Sequence, residues 1–238
     1  MGVKLERKKP RILLLSIIYR IHKVLPLSKK FKIRMYLNLE WIFDRLAHEM
    51  AFSIYKPVVH PARVFSQRTI LSHLDHTKTV LDLGCNLGDI SFMIAEKAKE
   101  VVGIDYNEKA INIAKARYSK ENLTFLHAEA LTYLKNNTKE FDVLILSHIL
   151  EHLDDPKEFL LKFKDFFQNI YIELPDFDRY YLNYYRRDFN CRLIYSDDDH
   201  ITEFDRYELK DLLKECNIVV LEAEYIYGVQ KLWCQVGN

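Results

Sequence analysis

From Thr79 onward the apolar residues of this chain switch repeatedly between two periods, and that alternation restricts the fold more than any other feature. "TVLDLG", "VVGID", "LTFLHAE", "FDVLILS" and "NIYIELP" are short apolar runs of strand length. Between them, "DISFMIAEKAK", "NEKAINIAKARYSK" and "PKEFLLKFKDFF" carry the three-to-four-residue spacing of a helix with one apolar face. Asn107 is suited to cap the second of these helices, and Pro156 to open the third. Strands alternating with helices predict a parallel sheet covered on both faces, with ligands at the C-terminal ends of its strands. Near the end, "YELKDLLKEC" predicts one more helix. "IVVLEAEYIY" and "KLWCQV" follow with no helix between them, which predicts an antiparallel hairpin at one edge.

The first 75 residues differ in kind. "RILLLSIIYRIHKVL" and "FKIRMYLNLEWIFDRLAHEM" predict helices with a break at Pro26, and a loop around "YKPVVHPAR" precedes a last helix leading into the sheet. The total charge of +1 hides an uneven distribution. Residues 1–39 hold eleven Lys and Arg against the single acid Glu6, giving +10 and leaving −9 on the remainder. Such an arm with an apolar stripe suits an anionic membrane or the acidic remainder of the chain. No recognition module for nucleic acid is visible, and nucleic acid is not expected as a partner.

At 238 residues and 49% hydrophobic, the chain can bury one α/β core with an appendage. Its four cysteines lie far apart with no C-x-x-C pair, which argues against a zinc ribbon or a secreted disulfide framework and for a reducing cytoplasm. The basic start followed by "ILLLSIIY" is too short for a signal peptide, lacks a small-residue cleavage site, and is interrupted by Arg20, His22 and Lys23. No apolar run approaches the roughly 20 residues that span a bilayer.

The first strand runs into Gly84-Cys85-Asn86-Leu87-Gly88, and 17 residues later the second ends on Asp105. A glycine turn lets the backbone approach a ligand closely, and a carboxylate ending the second strand can hold a pair of sugar hydroxyls. A dinucleotide fingerprint requires a third glycine at position 89, where this chain has Asp89. The spacing is G-x-N-x-G.

These residues resemble the first motif of the class I S-adenosylmethionine-dependent methyltransferases, an acidic strand residue followed by G-x-G-x-G, here Asp82, Gly84, Asn86 and Gly88. Asn86 departs from the pattern mildly, since Asn tolerates positive φ better than other non-glycine residues. The resemblance covers about residues 79–238, with "GIDYNEKAINIAKAR", "LTFLHAEA", "FDVLILSHILEHLDDP" and "HITEFDRYELKDLLKECNI" following in order. It implies a Rossmann-like, seven-stranded, mostly parallel sheet over residues 76–238, behind a basic helical extension over residues 1–75. It also implies S-adenosylmethionine as cofactor and S-adenosylhomocysteine as product. By position, Asp82 and the backbone of Gly84, Cys85 and Asn86 would face the methionine part, and Asp105 both ribose hydroxyls. Tyr106 would pack beside the adenine, Glu129 would accept its amino group, and Ala130 would offer an N–H to its ring. Gly88 and Ser147 complete the implied cofactor set.

The acceptor-side candidates cluster in "SHILEHLDDP". His148, Glu151 and His152 match the H-x-x-E-H of certain metalloproteases, but that motif needs both histidines on one helical face, and here the helix starts only at Pro156. The same segment resembles "EHL-x-x-P" in quinone and glycan O-methyltransferases, some of which hold a divalent metal there with carboxylates. His148 stands where those enzymes tend to have an acid, which leaves a softer metal or a bare histidine base open. His200, after three aspartates, is a second base candidate.

Residues 176–205 are long for a βα connection and rich in Tyr and Arg. They suit an acceptor loop with a stacking wall and with Arg186, Arg187 and Arg192 for phosphate, or an aromatic patch packed on the N-terminal helices. "PLSKKFKIRMYLNLEWIFDRLAHE" is similar to a helical leader before methyltransferase domains of bacterial surface-glycan pathways. The expected function is therefore O-methylation of a sugar, glycan precursor or related small acceptor, in the cytoplasm or at the inner face of the membrane. The alternatives are a quinone or phenolic O-methyltransferase and a non-catalytic cofactor-binding partner subunit.

Overall fold

The structure, a computed structural model, describes residues 12–56, 59–137 and 139–237. Five of the arm's basic residues (Lys4, Arg7, Lys8, Lys9 and Arg11) lie outside the described residues, as do Pro57 and Val58 of the expected loop.

Seven strands form one sheet: β1 (Thr79–Leu83), β2 (Glu100–Asp105), β3 (Leu123–His127), β4 (Val143–Ser147), β5 (Asn169–Pro175), β6 (Ile218–Ile226) and β7 (Val229–Val236). Their order is β3-β2-β1-β4-β5-β7-β6. The first five are parallel; β7 runs antiparallel to β5 and to β6. The hairpin is the one the sequence predicts, with its second strand inserted between β5 and the edge. Strand order reverses between β1 and β4, and such a switch point opens a crevice at the strands' C-terminal ends.

Period-two side-chain direction divides the core between the two faces. Leu81, Leu144, Leu146 and Ile172 enter one cluster, together with Leu209 and Leu213 of α9 (Arg206–Glu215). Val80, Val143, Ile145 and Tyr171, their neighbours in sequence, enter the other. That second cluster also takes Ile70 of α3 (Pro61–Ser72), so this helix is built into the sheet's own body.

The expected caps are present. Asn107 accepts from the Lys109 and Ala110 N–H groups at the start of α5 (Glu108–Arg117), and Asp155 caps α7 (Pro156–Phe163) ahead of Pro156. The helix after β1, expected to reach residue 99, is only α4 (Asp89–Ile94). The chain must turn back early so that Lys99 N–H can donate to the Lys78 carbonyl (2.8 Å) and enter β2 beside β1.

Two short helices escape a reading of periodicity: α6 (Ala130–Asn136) and, within the segment expected to be irregular, α8 (Leu182–Asp188). The latter is held from outside itself, since Arg186 is buried and pairs with Glu40. Glu40 lies on α2 (Lys29–Ile54), which follows α1 (Leu13–Val24) after the break at Pro26. No described helix is long and apolar enough to cross a membrane.

Candidate active site at the sheet switch point

The turn between β1 and α4 is left-handed at alternate residues, with φ of 71° at Gly84, 46° at Asn86 and 80° at Gly88. At Gly88 a Cβ would stand 2.5 Å from the Phe125 ring, so both the conformation and the space require glycine. The N–H groups of Gly84 and Cys85 both donate to the Ile104 carbonyl (2.8 and 3.1 Å), tying the turn to β2. Close approach, rather than free N–H groups, is what this turn offers a ligand at those two residues.

Asp105 ends β2 beside the turn. One carboxylate oxygen accepts from Asn86 N–H (2.9 Å) and the other from Asn107 N–H (2.8 Å), which fixes the carboxylate's orientation and leaves each oxygen further acceptor capacity. Tyr106 is 86% exposed, a large aromatic with nothing covering it. Asp82 is buried and accepts from Ser91 Oγ. Burial pushes its carboxyl up to about 7; the Ser91 hydrogen bond opposes the shift and the charge of Asp105 adds to it. On the far side, Glu129 accepts from the N–H groups of Leu131 and Thr132 as the N-cap of α6, with buried Ala130 as the first helical residue.

At the C-terminal end of β4, Ser147 leads into His148, whose φ of +57° is rare for a non-glycine residue. The His148 N–H donates to the Glu173 carbonyl (2.7 Å), and its ring lies between two buried carboxylates, Nδ1 at 2.9 Å from Glu151 and Nε2 at 3.6 Å from Glu173. Burial disfavours the charged ring, but the hydrogen bonds to Glu151 and Glu173 outweigh it and raise the imidazole to about 10. With the imidazole raised to about 10, the two carboxylates favour its protonated, hydrogen-bond-donating form at neutral pH. One of these acids, Glu151, is its neighbour in the linear motif, whereas Glu173 comes from β5 and is paired with it only by the fold.

Glu173 also accepts from Ser66 Oγ (2.7 Å) and from the Tyr171 hydroxyl. Lys231, opposite Glu173 in the β5–β7 register and 1% exposed, completes a buried charge cluster. The sequence reading missed this cluster. A charged residue ending an otherwise apolar parallel strand, as in "IYIELP", was the available signal.

His152 and His200 come together, although 48 positions separate them, with ring centroids 4.9 Å apart in an edge-to-face arrangement. The His152 element is a single 3₁₀ turn, Leu150–His152, whose Glu151 carbonyl accepts from the N–H groups of Ile201 and Thr202 (2.9 and 3.2 Å). His200 Nδ1 is 2.7 Å from the buried carboxylate of Glu203, which also accepts from Ser196 N–H and Oγ. Desolvation opposes charge on His200, and the Glu203 hydrogen bond more than compensates, raising its imidazole. The result is a histidine oriented by an acid through one nitrogen, the arrangement of a general base with its positioning partner.

Glu151, His152 and His200 also place ligand atoms within 4.8 Å of one another. Glu151 Oε2 is buried with no hydrogen-bond partner, and the Nδ1 contact to Glu203 leaves Nε2 of His200 as its ligating nitrogen. Two imidazoles and a carboxylate suit a divalent transition metal better than magnesium.

In the 176–205 segment, Tyr180, Tyr181 and Tyr185 make successive edge-to-face contacts and are all exposed, while Tyr184 donates to Asp178 beneath Arg187. Arg186 is not available for phosphate, since Glu40 and Asn183 occupy it. The same segment is tied to α2 through Arg186–Glu40, Arg179–Asp44, Asp197–Arg45 and the Trp41–Tyr195 bond, in line with the expectation that it packs on the N-terminal helices.

A family model described as a methyltransferase domain matches residues 74–203. Over 125 residues the chain is 32% identical to a ubiquinone biosynthesis O-methyltransferase of Aromatoleum aromaticum, covering 48% of this chain and 50% of that protein. Over 143 residues it is 31% identical to an uncharacterized RNA methyltransferase of Mycoplasma mobile, covering 58% and 38%. The chain thus spans half or less of the length of these curated relatives. Its fold is similar to that of the magnesium protoporphyrin IX methyltransferase of Synechocystis with bound S-adenosylhomocysteine, with a TM-score of 0.56 at 16% identity over 87% of this chain and 99% of that one.

Proposed function

Since the chain belongs to the class I S-adenosylmethionine-dependent methyltransferases, we propose that it methylates an oxygen of a small acceptor, a sugar or glycan precursor, in the cytoplasm at or near a membrane surface. The observation that carries the reading is Asp105, a carboxylate oriented from both sides at the end of β2 against the left-handed turn of Gly84, Asn86 and Gly88. That pairing of a close-approach turn with a fixed acceptor suits the two ribose hydroxyls of a nucleoside cofactor. Asp82, buried and accepting from Ser91 at the start of α4, would face the methionine part of the cofactor. Tyr106 would cover the adenine, with Glu129 and Ala130 at its edge and Ser147 beside the reacting end.

S-adenosylmethionine supplies an electrophilic methyl group on a sulfonium. An aliphatic hydroxyl needs its proton removed as the oxygen attacks, and His200, oriented by Glu203, is positioned to take it. The new C–O bond forms as the C–S bond breaks, and that electron pair goes to sulfur. The imidazolium of His148 contributes fixed positive charge at the end of β4, and the tyrosines of the 176–205 segment give the acceptor a stacking surface with polar edges. The four cysteines are free and buried, which supports the cytoplasmic setting.

A quinone or phenolic acceptor is the second reading. The names of the O-methyltransferase relatives favour it, and the unpartnered Glu151 Oε2 beside His152 and His200 favours a metal that would lower the acidity barrier of a phenol. Titration calorimetry with S-adenosylhomocysteine on the wild type and Asp105→Asn tests the cofactor site. Loss of charge-assisted hydrogen bonds, roughly 1.5–3 kcal/mol each, predicts at least about tenfold weaker binding. Unchanged affinity refutes the ribose assignment. Methyl transfer to nucleotide sugars against catechols and hydroquinones, with and without chelator, separates the two acceptors. Tight cofactor binding with turnover of neither favours a non-catalytic partner subunit.

A further inference from the structure

Helix α2 has two faces, and only one of them is used. Leu37, Glu40, Trp41, Asp44 and Arg45 lie on the first. Leu37 is buried, Glu40 pairs with Arg186, Arg45 with Asp197 and Asp44 with Arg179 (3.5 Å), and Trp41 Nε1 donates to the Tyr195 carbonyl (2.5 Å). At 3.6 residues per turn, Phe31, Ile42, Phe43, Leu46, Met50 and Ile54 fall on the opposite face. All six are exposed, Phe43 and Ile54 by about two thirds or more. Helix α1 buries nothing. Its Leu13, Leu14, Ile17, Ile18, Ile21 and Val24 share one sector, with Arg20 at its edge and Lys23 on the other side. Exposed apolar residues that share one face on each of two successive helices, unlike scattered exposed residues, mark an interaction site.

Charge decides what covers it. Residues 1–39 carry +10, and among the described residues no ion pair involves Arg20, Lys23, Lys29, Lys30, Lys32 or Arg34. A second copy docking through this surface would bring two such arms together, where like charges repel. An anionic lipid surface instead takes the apolar faces into its acyl boundary and the basic side chains to its headgroups. With no described helix able to cross a bilayer, the arm would lie on the surface.

We propose that α1 and the outward face of α2 bind an anionic lipid surface, and that the rigid attachment of α2 to residues 179–197 thereby sets the acceptor segment against molecules held in that surface. The acceptor would then be lipid-anchored or embedded, presented at the interface. The lipid contact stands without the methyltransferase reading, whereas the role given to the 179–197 attachment rests on it.

Flotation of the full chain with vesicles of phosphatidylglycerol or of phosphatidylcholine tests the contact. Binding is expected only to the anionic vesicles, and it should weaken at least about tenfold as salt rises from roughly 0.1 M to roughly 1 M, which shortens the Debye length from about 10 Å to about 3 Å. The double variant Ile18→Glu, Phe43→Glu should lose binding while retaining the wild-type affinity for S-adenosylhomocysteine, which shows that the sheet is folded. A chain that ignores both vesicles overturns the proposal. If light scattering then shows a dimer that the double variant dissolves, a second copy covers the face.

The orientation has its own probe. A bimane label on Tyr181→Cys, the native cysteines being buried, should be quenched by brominated lipid in the bound state. An unquenched label on vesicle-bound protein overturns the acceptor half. Vesicle binding without any cofactor binding refutes the methyltransferase reading and leaves the lipid contact standing.

Discussion

Replacing His148 with Gln removes the cation between Glu151 and Glu173 while keeping a side chain of similar length that can donate only from its amide. The consequence can be worked from linkage. In the unfolded chain the imidazole titrates near 6.5, and in the folded protein near 10. A group whose folded value is raised contributes stability that is fully present below pH 6.5 and is lost as pH rises through 10. The bare shift corresponds to about 4.8 kcal/mol at about 1.36 kcal/mol per unit. The ring is 45% exposed, so solvent screening reduces the usable part to about 1–2 kcal/mol. For a chain of this size that is roughly 2–8 °C in Tm. Thermal melts of wild type and His148→Gln between pH 6 and 10 should therefore converge as pH rises, with the variant lower by about that amount at pH 6. Parallel Tm curves across the range would refute the imidazolium assignment. The same assignment predicts that the pH dependence of kcat contains no acidic limb from His148 near neutral pH.

Ala at His200 should lower kcat by roughly 10²–10⁴, the usual worth of positioned proton transfer, with S-adenosylhomocysteine affinity unchanged. Gln at Glu203 should give a smaller loss and shift the acidic limb of the pH–rate profile to lower pH, since the carboxylate that favours the imidazolium is gone; equal wild-type rates in both variants would remove the histidine base. Asp82 is close to half-protonated at pH 7, so binding the cationic cofactor should release a fraction of a proton there, read as a dependence of calorimetric enthalpy on buffer ionisation. Asp82→Asn should abolish the release. Gly88→Ala places a Cβ 2.5 Å from Phe125 at a left-handed position, which predicts a loss of stability of about 1–3 kcal/mol in chemical denaturation and weaker cofactor binding, whereas a neutral outcome would mean the turn is less constrained than its geometry implies.

Much of this protein is local information. The switch between periods two and 3.6 marks the seven strands and most of the helices, because side-chain direction repeats with those periods whatever packs against them. Asn107 and Pro156 announce helix starts through bonds within a few residues, and the G-x-N-x-G turn with Asp105 was legible because left-handed backbone restricts residue choice on its own. The lopsided charge of the arm is likewise a property of the chain.

What only the tertiary structure decided are the partnerships between distant residues. Nothing in "SHILEH" says that His148 faces Glu173, or that His152 turns toward His200 and its Glu203. The insertion of β7 beside β5 sets the buried Lys231 opposite Glu173, and α8 is held by a helix more than a hundred residues earlier. In each case the protonation state or conformation follows from desolvation and from charges brought within a few ångströms by packing, and a linear sequence carries no distances between such groups. The two faces of α2 show the same division: its apolar residues could be read off, but which face the domain leaves uncovered is fixed by the five residues that bind the other.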